Sequence, residues 1–439
     1  MTKTTSATTT RFEYALQLNV EGIRRSLHHM PDSTFKAYCT WALDTPSMAG
    51  RWLQLMGIES LIRLTGGLLD GLLSADEWLQ LVPYSVPINV SQMYEVISDN
   101  LAIGLGKYAP EDDTYNTRSQ LVYSFNRAVI QRLKGHTQHS ASDLLEPFFP
   151  LMAEISTFEQ SLSADKHRSL TGHFLKAHPG ASLDELEYAL YPLLVANLET
   201  CIDMTRVLEG SATYPLLVDG LIRRYQGVND LLEQQVFSLE ELLQVSTDTI
   251  MVVPTLAYYI GVMAEKVQPL PAYRDVLEDG SLLLALEDAA LLVRLLNDMG
   301  TLLLEQPTND RKTLIQTLYQ MHHTGDFPTF EHLLLDVAGQ QGTLLTRMNK
   351  DIRFGEFNVC LHSVRQVNDI AVAIEVFADQ LESLTLVYED RLQRLPGMVA
   401  QLNQRLGSTF AGEVILRFVH FHRHTYSQSF KSAEGEYAV

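Results

Sequence analysis

Asn297-Asp298-Met299-Gly300-Thr301-Leu302-Leu303-Leu304-Glu305 closes a leucine-rich segment whose polar members recur at i, i+4 and i+8. Residues four apart on a helix share a face, one turn above another. The spacing therefore predicts that Asn297, Thr301 and Glu305 form an oxygen-bearing ladder on one helix. A carboxamide, a hydroxyl and a carboxylate in one column suit a hard cation such as Mg²⁺, which takes oxygen ligands and keeps some waters. The same column also fits a buried polar stripe satisfied by neighbouring side chains. The helix is expected to span 280–306. It is apolar apart from Glu287, Asp288, Arg294 and the polar members of the 297–305 stretch, and it ends at Pro307, which lacks the N–H needed to continue.

Outward from this segment the same period of 3.6 repeats along the chain, broken by Gly, Pro, Asp or Ser, and strand signals are nearly absent. Helices are predicted over 11–29, 47–73, 89–108, 117–135, 142–162 and 163–177. Longer ones follow over 182–210, 213–235 and 238–267, then 308–323, 328–353, 357–395 and 411–430. Ser182 with Glu185, and Ser238 with Glu241, fit capping boxes. The fold class is all-α, a packed antiparallel bundle. Its expected parts are a flexible tail at 1–10, N-terminal helices at 11–138 packed on the core, a catalytic helical region at 139–430, and a tail at 431–439.

Composition narrows the function. A hydrophobic content of 46% over 439 residues supplies a large core. A net charge of −20 argues against nucleic acid, since phosphate contacts need clustered Lys and Arg. An anionic substrate is still admissible if metal ions and a few local basic groups supply counter-charge. Cys39, Cys201 and Cys360 are scattered, without CxxC spacing, as in a reducing compartment. The longest uncharged apolar stretch, 249–264, contains Pro254 and is shorter than the roughly 20 residues of a membrane span, so no stable membrane anchor is expected. With no apolar leader, the expected location is cytoplasmic. The Thr/Ser-rich stretch 1–11, free of acidic residues, leaves a plastid transit fragment as the alternative.

The pattern N-D-x-x-[ST]-x-x-x-E resembles the second metal-binding motif of class I terpene synthases. The resemblance implies an all-helical bundle in which Mg²⁺, held by Asn297, Thr301 and Glu305, assists ionisation of a prenyl diphosphate. A capped helix interrupted at Val253-Pro254 and followed by the motif helix is similar to the second half of such a domain. By that likeness Thr249, Val252, Val253 and Tyr258 approach the carbocation. The family's first motif is an Asp-rich cluster on a facing helix. Asp112-Asp113-Thr114-Tyr115-Asn116 is the candidate pair, with a solvated loop as its other reading. Glu154, Glu159, Asp165 and the pair Glu199 and Asp203 are further acidic candidates. The family's diphosphate-sensing Arg is absent at Ser246-Thr247-Asp248, so Arg223, Arg224 and Arg294 are the substitutes, Arg294 first because it shares the motif face. Arg423 and Tyr426 are similar to the family's C-terminal closing pair. His420 and His424 lack a third ligand for zinc, and Asn368-Asp369 reads as helix surface. Three outcomes stand open: a terpene from cyclisation or water capture, prenyl transfer to a small nucleophile such as an amino-acid nitrogen, or a non-catalytic helical binding protein. A monomer or a homodimer is expected.

Overall fold

A computed structural model describes residues 2–106, 114–158, 164–234, 237–340 and 342–428. Among the described residues every regular element is helical and no strand occurs, as expected of an all-α chain. The N-terminal helices are α1 (Thr2–Ser26), α2 (Thr34–Asp44), α3 (Pro46–Leu55), α4 (Ile58–Leu69), α5 (Ala75–Ala102) and α6 (Tyr115–Leu133). Short turns α7 (Ala141–Leu145) and α8 (Phe149–Met152) lead to α9 (Ala164–Ala177), α10 (Asp184–Glu187), α11 (Leu190–Arg206) and α12 (Tyr214–Glu233). Then come α13 (Leu239–Asp248), α14 (Val252–Val262), α15 (Tyr273–Glu278), α16 (Ser281–Met299) and the single turn α17 (Thr301–Leu304). The chain continues with α18 (Thr308–Thr324), α19 (Phe330–Gln340), α20 (Thr346–Phe354), α21 (Ile370–Leu406) and α22 (Phe410–Thr425).

Helix α16 sits at the centre of the bundle, packed against α13, α14, α20, α21 and α22. It is apolar nearly all round, with Leu282, Ala285, Leu286, Ala289, Leu292 and Leu295 fully buried, the signature of a helix enclosed by others. Each such leucine contributes on the order of 2 kcal/mol by leaving water. On the other side of the cavity described below, α5 pairs with α11 and α6 pairs with α12. One large apolar cluster runs from α4 to α22, and a smaller one joins α1, α2, α3, the middle of α5 and α9.

Several expected helices are divided, each for a local reason. The 47–73 segment splits at Met56-Gly57, where Gly57 takes φ +73°. The 182–210 segment does form the reciprocal Ser182–Glu185 bonds, but it breaks at Tyr188-Ala189 between α10 and α11. The 142–162 segment is short turns only, within its described part. Helix α5 starts well before residue 89, capped by Ser74 and Glu77, and runs on through Pro83 and Pro87. The interruption near Pro254 lies at 249–251, upstream of the proline. A proline ring clashes with the carbonyl four residues back, here Ile250, so the chain opens there and α14 begins anew. The two pieces meet at 49°. No single helix is long and apolar enough to cross a membrane among the described residues.

Candidate active site

The motif helix breaks inside the motif. Gly300 adopts φ +81° and ψ 150°, a conformation open essentially to glycine alone. Helix α16 stops at Met299 and α17 restarts at Thr301, which corrects the expectation of one continuous helix over 280–306. The ladder is thereby dismantled. Asn297 keeps its place and faces a cavity, its Oδ1 accepting from Arg347 Nη2 at 2.5 Å and its carbonyl from Arg347 Nε at 2.7 Å. Thr301 is turned away. Its hydroxyl donates to the Arg423 carbonyl at 2.6 Å, and its N–H donates to the Tyr426 carbonyl at 3.2 Å. Glu305 lies exposed, paired with Arg423 and accepting from Tyr388 Oη at 2.9 Å. Those donors hold its carboxyl below the usual range, although burial opposes them more strongly than either alone.

Asp298 is the anchor of the break. Fully buried, it accepts from Val359 N at 2.8 Å and pairs with Arg294, while its carbonyl takes the Asn358 amide at 2.8 Å. Burial of Arg294 lowers its guanidinium to about 10. Its charge is therefore retained at neutral pH.

A cavity of about 540 Å³ opens between α4, α5, α12, α16, α22 and the α13–α14 junction. This is the size of a pocket for a small organic ligand. Much of its lining is apolar, including Leu61, Leu64, Val228, Leu231, Met251 and Val293. Two polar patches stand on α5, α12 and α16. From α5 come Gln92, Glu95 and Asp99, with Arg224 of α12; from α16 come Arg294 and Asn297. Arg224 pairs with Glu95 at 2.5 Å and with Asp99, and Tyr225 Oη donates to Glu95 at 2.8 Å. Burial pushes the Glu95 carboxyl above the usual range, opposed by Arg224. Asp99 is different, since 62% of its side chain is exposed. Gln92 donates to Thr255 at 2.9 Å, tying α5 to the interrupted helix.

The C-terminal end of α22 supplies Phe418, His422 and Tyr426 to the same cavity. Arg347 lies 4.6 Å over the Tyr426 ring. The 354–369 connector adds Phe357, Glu356 and His362, and Lys350 Nζ neutralises Glu356 at 2.5 Å. His422 Nδ1 donates to the Phe418 carbonyl at 2.8 Å, and burial lowers the imidazole to about 4, so the ring is neutral at neutral pH.

Of the proposed basic partners, Arg224 and Arg294 line the cavity and Arg223 does not. Arg223 is held by Glu287 at 2.9 Å, Asp219 at 3.3 Å and Asp248 at 3.5 Å. Thr249 and Val252 line the cavity, but Val253 and Tyr258 do not; Tyr258 is fully buried, donating to the Tyr84 carbonyl at 2.6 Å and packed edge-on to Tyr259. Asp112, Asp113 and Glu159 lie outside the described residues. Glu154 and Asp165 are exposed, Glu199 pairs with Arg132 and Asp203 with His29. None of these four lines the cavity.

Glu95 and Asp99 are the acidic pair that sequence reasoning missed. The signal was present as Glu95-Val96-Ile97-Ser98-Asp99, two carboxylates at i and i+4 on a helix with few other charges. The two carboxylates are not adjacent, and they lie upstream of the stretch where the resemblance places an Asp-rich cluster.

The fit to Mg²⁺ differs between the two patches. Asn297 is bound by Arg347, while Thr301 and Glu305 are bound to Arg423, so in this arrangement the motif oxygens are taken up by protein partners. Glu95 and Asp99 fit better: Mg²⁺ is commonly bound through one or two carboxylates, with waters and substrate phosphates completing the shell. Among the described residues no three His, Cys, Asp or Glu side chains form a metal cage, so substrate oxygens would be needed. No protein-family model matches the chain, and no curated protein matches it.

Proposed function

We propose that the protein ionises a prenyl diphosphate in the 540 Å³ cavity with the help of Mg²⁺ and releases a terpene. One observation carries the reading: a largely apolar chamber with a carboxylate pair, Glu95 and Asp99, and a buried cation, Arg294, on its walls. The diphosphate head would lie against Arg294 and the Asn297 amide, while the isoprenoid chain fills the space among Leu61, Leu64, Val228 and Leu231. Arg294 supplies N–H donors in a water-poor site, where they strengthen as charge develops on the leaving oxygen. Mg²⁺ held by Glu95 and Asp99 would add further charge neutralisation of that leaving group. Arg224 fixes both carboxylates so that they meet the ion in one geometry. The apolar wall excludes water from the cation.

A second reading, a non-catalytic scaffold that binds an anionic amphiphile, is favoured by one observation. The oxygens of Asn297, Thr301 and Glu305 already have protein partners in Arg347 and Arg423. Incubation with geranyl, farnesyl and geranylgeranyl diphosphates, with and without Mg²⁺ and amino acids, separates the readings. Mg²⁺-dependent diphosphate release with a hydrocarbon or alcohol supports the first. A polar adduct points to transfer onto an amino-acid nitrogen, and saturable binding with no release leaves the scaffold.

A further inference from the structure

We propose that His422 Nε2 is the base that takes the proton ending the reaction, which turns the prenyl cation into an alkene. The inference rests on the reading of the cavity as a prenyl-cation site, and four observations on the chain's own residues carry it. First, His422 lines the cavity, with the rings of Phe418 at 4.5 Å and Tyr426 at 5.7 Å beside it. Second, its Nδ1 is turned back onto its own helix to donate to the Phe418 carbonyl, which assigns the proton to Nδ1 and leaves the lone pair on Nε2. Nε2, on the opposite edge of the ring from that bond, is then the nitrogen able to accept a proton. Third, the carboxylates there are engaged by cations, Glu95 and Asp99 by Arg224 and Glu356 by Lys350. The other imidazole, His362, lies 3.4 Å from the Gln366 amide. His422 is the neutral base left for the task.

The fourth observation explains the displaced half of the motif. Thr301 holds the last turn of α22 through the Arg423 and Tyr426 carbonyls, while Glu305 grips the Arg423 guanidinium. These contacts pin residue 423 on the outside of the turn and set residue 422 toward the cavity. Thr301 and Glu305 are positioning residues for the base.

The step balances without another reactant. The C–O bond breaks with its electron pair leaving on the diphosphate. A C–H bond beside the cation then breaks, its electrons become the new double bond, and the proton passes to Nε2. Burial disfavours the imidazolium, so the proton moves on to a diphosphate oxygen, a stronger base than this imidazole.

The experiment uses the full chain with Mg²⁺ and the prenyl diphosphate on which it is most active, comparing His422→Asn and His422→Phe. Asn retains a donor for the Phe418 carbonyl, whereas Phe retains the ring packing, so at least one variant preserves the site's shape. The readout is alkene formed per diphosphate released. The proposal predicts at least a tenfold fall in that ratio in the folded variants, with alcohol from water capture rising in its place. An unchanged ratio in either folded variant overturns it, as does a parent enzyme that forms only alcohols or amine adducts. A parent that releases no diphosphate contradicts the proposed function itself, a result separate from these.

Discussion

Asp298 and His422 are the two residues on which local energetics turn. Asp298 neutralises Arg294 and receives the Val359 amide in a setting with no exposure. Removing its charge in Asp298→Asn strands a buried guanidinium, and breaking such a pair costs about 3–5 kcal/mol. The variant should melt well below the parent in a thermal denaturation scan; an unchanged melting temperature would mean that Arg294 finds another partner. His422 makes a pH-dependent contribution of definite sign. Its folded value is lowered from 6.5 to about 4, so between these limits the unfolded chain binds a proton that the folded chain refuses. Its effect is absent above about pH 6.5 and destabilising as pH falls toward 4, reaching about 3 kcal/mol by the linkage relation. Urea titrations at pH 7, 5.5 and 4.5 should therefore show a smaller loss on acidification for His422→Asn than for the parent.

At the scale of elements, the decisive feature is the break between α16 and α17. Gly300 takes a backbone conformation closed to L side chains, and a Cβ there would lie 3.2 Å from Arg347 Cγ. Gly300→Ala should cost about 1–3 kcal/mol and loosen the last turn of α22, read as faster amide exchange at 422–426. Gly397, inside α21 with open space around it, should behave oppositely: Gly397→Ala is expected to raise stability by about 0.5–1 kcal/mol. Equal effects of the two changes on melting temperature would contradict this account of the break. The same element shows what the sequence conveyed. The apolar period identified α16 because burial all round leaves a long run of Leu and Ala, and α6, α9, α12 and α18 lie close to their expected bounds because the Gly, Pro and polar breaks that end them are local. The direction of Thr301 and Glu305 was hidden, because a single glycine permits either a helical residue or a left-handed break, and the choice is made by distant partners at Arg423 and Arg347. Arg294 and Arg224 were legible as candidates, yet what distinguishes them from Arg223 is only which side of α12 and α16 meets the cavity.

For the whole molecule, the cavity depends on packing that no local pattern encodes. It draws on residues from Met56 to Tyr426, and its acidic wall lies on α5, nearly two hundred positions before the motif helix. The central claim is that this wall, and not the Thr301–Glu305 half of the motif, brings the metal ion to the substrate. Asp99→Asn addresses it most directly, because Asp99 is largely exposed and the buried Arg224 keeps Glu95 as its charged partner when Asp99 is neutralised. Diphosphate release should be measured for the parent and Asp99→Asn over a range of Mg²⁺ concentrations with farnesyl and geranylgeranyl diphosphates. Loss of an ion that stabilises the leaving group is worth several kcal/mol of barrier, roughly a hundredfold in kcat. The account predicts that fall at unchanged melting temperature, partly recovered at high Mg²⁺; parent-like release by Asp99→Asn, or a parent inert toward both substrates, would contradict it.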